Sequence, residues 1–138
     1  MRSTSAPEKF LPEMAFSAAD LRVFAALETA FGDTLWPLLR AYLHDGNAAS
    51  EKLQAAVACT HWQEAVRLAR EIAVMAADLD FRAVEKAAHD FAASVYEANT
   101  AHRRRNGAQM LVFEFERSCL LLESRWPGLM ETAGTSVA

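Results

Sequence analysis

The chain has 138 residues, of which 52% are hydrophobic and 23% charged, and a net charge of −4. That length suits a single domain whose core needs no metal or disulfide staple, and the composition is that of a soluble globular protein. The acidic balance argues against a nucleic-acid-binding surface, and no apolar run reaches the roughly 18–20 residues of a membrane span.

Residues 1–16 carry Pro7 and Pro12 among Ser, Thr, Lys and Glu and read as a flexible arm. Its Phe10, Leu11, Met14 and Phe16 are apolar side chains suited to docking on the domain. The arm lacks the apolar middle of a secretory leader, and Cys59 and Cys119 stand isolated. The expected setting is therefore the cytoplasm with both thiols reduced; a disulfide is the other arrangement the sequence leaves open.

The first helix starts at Ser17, an N-cap answered by Asp20 three residues on, and runs through Leu21, Phe24, Leu27 and Phe31 to a left-handed cap at Gly32. The second starts at Asp33 or Thr34, with Pro37 in its first turn, and continues as one long helix to Ala58. Gly46-Asn47 is its soft spot, the place where a bend or short break would fall in an otherwise continuous helix.

Thr60 is expected to cap the third helix, which organises the chain. In it Trp62, Ala65, Ala69, Ile72, Ala76 and Leu79 recur in steps of three and four, making one apolar stripe, with Leu68 and Met75 widening one edge. Glu64, Glu71 and Asp78 mark the solvated side. The flank between them holds Gln63, Val66, Arg67, Arg70, Ala73, Val74 and Ala77 and is the expected partner-binding surface. An apolar flank with a central arginine has the composition of a protein contact, and burial by neighbouring helices is the other reading of it.

A fourth helix is expected over 82–98, with Val84, Ala87, Ala88, Phe91, Val95 and Tyr96 taken inward. The stretch NTAHRRRNG, 99–107, reads as a basic loop closed by an Asn-Gly turn, and 108–125 as the last helix. Pro127-Gly128 stops it, leaving 126–138 as a frayed tail. The fold class is all-α: an antiparallel four-helix bundle with an additional N-terminal helix, spanning 17–125.

From Phe31 to Phe91 the run FGDTLWPLLRAYLHDG…HWQEAVRLAREIAVMAADLDFRAVEKAAHDF resembles the histidine phosphotransfer (HPt) family, whose helical bundles pass phosphoryl groups between receiver domains. The likeness extends in helix order and length over about 17–123. The family's signature is a His followed by Leu, Lys and Gly, then a Gly after the helix. Here Arg70 stands at the His, Glu71 follows it, Ile72 keeps the core position, Ala73 replaces the Lys, Val74 the Gly, and Asp80 stands near the final Gly. A guanidinium offers no nitrogen lone pair to a phosphoryl group, so the resemblance implies a pseudo-HPt without a phosphoacceptor. It implies a receiver domain or histidine kinase as partner, no catalysis, and no cofactor.

The remaining candidates have plainer readings. His44 is a surface histidine or a displaced phosphoacceptor, and His61 sits at a helix start. Glu85 and His89 are an i,i+4 pair of the kind that ligates metals or decorates a helix surface. His102 and Arg103 to Arg105 form a solvated basic run without an aromatic to stack on bases. Trp36, Trp62 and Trp126 are core or rim anchors, with Trp126 placed to cap the bundle end or meet another subunit. No nucleophile triad, phosphate loop or paired-cysteine motif is present, and neither a metal site nor an enzyme activity is expected; a homo-oligomer remains open.

Overall fold

The computed structural model describes residues 16–97 and 100–129. All regular structure among them is helical: α1 (Ala18–Phe31), a 3-10 turn (Gly32–Thr34), α2 (Leu35–Ala58), α3 (Trp62–Asp78), α4 (Arg82–Tyr96) and α5 (Ala101–Arg125). Helix α3 packs between α2 and α4, α4 packs on α5, and α5 returns to α2 along a looser seam. Leu39, Leu43, Leu53, Leu68, Ile72, Phe91, Leu111, Phe115 and Leu122 fill the space these four helices enclose.

Helix α1 begins as its sequence dictates. The Asp20 amide donates to Ser17 Oγ and the Ser17 amide to Asp20 Oδ2, both at 3.0 Å, so two helix-end donors are satisfied reciprocally. Gly32 ends it at φ +51° and ψ −124°, positive as expected but outside the left-handed helical basin. Phe24 and Leu27 are its buried residues. Phe24 receives Phe16 edge-on at 5.0 Å and Trp126 edge-on at 5.3 Å, while Arg125 donates to Glu28 at 2.8 Å. Trp126 therefore caps the bundle end against α1. Leu129, in the stretch expected to fray, is fully buried. The apolar residues of the arm at 10, 11 and 14 lie outside the described residues, as do 98, 99 and the tail beyond Leu129.

Two sequence expectations are corrected by packing, and one is borne out. Helix α2 is the single long helix expected, unbroken through Gly46, and that glycine is a contact: a Cβ there would lie 2.4 Å from the Phe115 ring. Helix α5 starts at Ala101, seven residues before the expected 108, with the Thr100 hydroxyl accepting from the Arg103 amide at 3.2 Å. The Asn-Gly turn signal is overridden since Gly107 lets α5 approach α4; a Cβ there would sit 3.4 Å from the Phe91 ring. Thr60 does not cap α3. It ends α2 at φ +57°, with its amide donating to Val57 and the His61 amide to Ala56. This is a Schellman arrangement, and Asp80 repeats it at φ +60° after α3, its amide donating to Ala77 and that of Phe81 to Ala76.

A β-branched residue in the left-handed basin is strained where glycine is not. Thr60→Gly is expected to stabilise the fold by about 0.5–1 kcal/mol, the strain relieved exceeding the added freedom of the unfolded chain. The measurement is the urea midpoint at unchanged slope, and a lower midpoint would contradict it.

Where α2 approaches α5, Tyr42 and Ser118 share a buried hydrogen bond of 2.7 Å, and the Ser118 hydroxyl also lies 2.6 Å from the Phe115 carbonyl. Burial drives the Tyr42 phenol well above its ordinary range. Burial likewise pushes the Cys119 thiol up to about 12, with Glu123 adding to the effect. Both cysteines are free, Cys119 half-buried and Cys59 exposed.

Candidate functional site

The outer side of α3 is where the expected partner-binding residues are sorted by burial. Gln63, Arg67, Arg70, Val74 and Ala77 are exposed. Val66 and Ala73 are not: they are 1% and 5% exposed, because α2 and α4 close over both edges of the α3 stripe. The expectation that these two contact a partner is corrected accordingly. Val66 forms the floor of a surface groove, and Ala73 belongs to the core.

That groove encloses about 320 Å³ and is lined by Gln63, Val66, Arg67, Arg70, Glu71 and Val74 from α3 and by Tyr96 from α4. Arg70 lies with its guanidinium carbon 5.8 Å from the centroid of the Tyr96 ring. Cation–π stacking of this kind holds the charge over the groove while leaving its donors toward solvent. Val74 and Tyr96 are 64% and 63% exposed, which makes them the two most exposed large apolar side chains among the described residues.

The neighbouring arginine has a different task. Arg67 Nε donates to Glu64 at 3.0 Å and Nη1 donates to Glu71, so its charge is met within its own helix. The Arg67 hydrogen bond is also what lowers the Glu64 carboxyl below its usual range. Arg70 is consequently the cation of this face that is directed at the groove rather than at neighbouring carboxylates.

Tyr96 is the site residue misplaced by sequence reasoning, which took it inward. Its position five residues after Phe91 turns it about 140° from that core residue, so the spacing contained the signal. The other candidates stay apart from the groove. His44 is exposed on α2 and lies 3.0 Å from Asp45, while His89 lies 3.8 Å from Glu85 on α4. Among the described residues no group of three or more His, Cys, Asp or Glu side chains is placed to hold a metal, and no helix is long and apolar enough to cross a membrane.

One residue of the basic run is structural. Arg104 is half-buried, its Nη2 donating to the Val95 carbonyl at 3.1 Å and its guanidinium lying 5.4 Å from the Trp62 ring centroid. It thus places a cation at the C-terminal end of α4, whose last turn has no basic residue of its own. The description of that run as wholly solvated is corrected.

No family model, curated protein or solved structure matches the chain.

Proposed function

We propose that this protein is an HPt-like docking bundle that meets a receiver domain or histidine kinase of a phosphorelay without carrying phosphate. The observation that carries the reading is Arg70, exposed at the centre of the outer face of α3 and stacked on Tyr96, where the resembled family presents its phosphoacceptor imidazole. An antiparallel arrangement belongs to the same reading. Connections as short as Cys59 to His61 and Leu79 to Phe81 leave room only for a reversal of direction between successive packed helices.

Asp80 in the left-handed basin supports the likeness further, since the family places its glycine near that turn and a Schellman C′ position favours glycine. A receiver's phosphorylation pocket is a cluster of carboxylates. Arg70 offers it a permanently charged, multidentate donor, with Val74 and Tyr96 as the apolar contacts beside it.

The test is a binding titration against the receivers and kinases of the same genome, using the wild type and Arg70→Glu. Charge reversal at the centre of such a contact is expected to weaken binding by about tenfold or more. Equal affinity for both proteins would remove Arg70 from the interface, and failure to bind any receiver or kinase would overturn the reading itself.

A further inference from the structure

A second surface lies across the bundle, on the seam between α2 and α5. The two helices touch closely where Phe115 lies on Gly46, and toward the C-terminal end of α2 the seam opens into a groove of about 370 Å³. Val57, Ala58, Ala108 and Val112 give it an apolar floor, and Phe113 stands at its edge, 58% exposed. Met110, one turn before Phe113, is 54% exposed. A phenylalanine left in water at the edge of an apolar groove marks an unpartnered face.

The charges of this groove are arranged so that a second copy of the same face would complement them. Arg105 lies at one end of the α5 wall and Glu116 at the other, eleven residues and about 16 Å along the helix. Neither is in an ion pair among the described residues. A second α5 laid antiparallel on the groove face, related by a twofold axis at the height midway between residues 110 and 111, sets Arg105 of each copy opposite Glu116 of the other. The same operation places Phe113 opposite Ala108 and Gln109 opposite Val112, so the protruding ring meets the smallest side chain of the wall. In this register the face pairs its own opposite charges and sets its largest side chain against its smallest, as an isologous contact requires.

We infer that the α2–α5 groove is a homodimer interface, in which Phe113 of each copy enters the groove of the other and Arg105–Glu116 pairs close both ends. A contact built mainly on one helix buries less than a standard interface of about 800 Å² per partner. The dimer is accordingly weak and concentration-dependent. It leaves the α3 groove uncovered and stands independently of the receiver reading.

Sedimentation velocity over a concentration series from low micromolar to near-millimolar tests it on the full chain. The wild type is expected to move from monomer toward dimer across the series. Arg105→Glu and Glu116→Arg each place like charges opposite one another and should weaken the dimer by about tenfold, while the double exchange Arg105→Glu/Glu116→Arg restores it. Phe113→Asp should leave a monomer with unchanged helical circular dichroism. A wild type that stays monomeric throughout, single variants that dimerise as well as the wild type, or a double exchange that fails to recover association would each overturn the inference.

Discussion

Replacing Gly46 by alanine is expected to lower stability by about 1–2 kcal/mol, although alanine is the better helix former by about 1 kcal/mol. The new methyl would lie 2.4 and 2.5 Å from two ring carbons of Phe115, well inside van der Waals contact. The ring has little room to withdraw. Phe115 is fully buried, and the Tyr42 ring packs on it at 5.3 Å, itself fixed by the Ser118 hydroxyl. Either the ring leaves its rotamer or α2 and α5 separate, and both lose contacts of a close-packed interior.

The decisive comparison is a double-mutant cycle. Phe115→Leu alone creates a cavity and costs about 1–3 kcal/mol. In that background Gly46→Ala no longer meets the far ring carbons, and its helix propensity should make it neutral or stabilising. Chemical denaturation of the four proteins reads the sign. A Gly46→Ala penalty that is the same with and without the ring would place its cause outside the Phe115 contact.

Arg104→Ala is the second substitution with a large expected effect, a loss of about 2–3 kcal/mol. It removes a charged, part-buried donor from the Val95 carbonyl, worth about 1.5–3 kcal/mol, and a stacking contact on Trp62 worth about 0.5–1 kcal/mol. Arg104 Nε is itself buried without a hydrogen-bond partner among the described residues, which offsets part of that gain and sets the lower end of the range. Lysine is not expected to rescue, because an ammonium lacks the flat face that lies over the indole. Thermal unfolding of Arg104→Ala and Arg104→Lys measures both points, and wild-type stability in either would show that the three helix ends meeting there are held by packing alone. Substituting the neighbouring Arg105, which is exposed in the monomer, should change stability by less than about 0.5 kcal/mol.

Local residues determined much of this protein directly. The Ser17–Asp20 capping box, the Pro37 start of α2, the stripe of α3 and the outward position of Arg70 all follow from short-range periodicity and hydrogen-bond chemistry, which need no knowledge of the neighbouring helices. Glycine is where that reasoning gave way. Gly46 read as a soft spot and Gly107 as a turn, since the unfolded chain treats both as flexible; only the approach of Phe115 and Phe91 made them contact points within continuous helices. The same holds for Val66 and Ala73, whose burial depends on how closely α2 and α4 flank α3, and for Tyr96 and Arg104, which become informative when another helix arrives beside them. Periodicity assigns a side chain to a face. Which faces are covered, and what a long side chain reaches from its helix end, are decided by packing between elements distant in sequence.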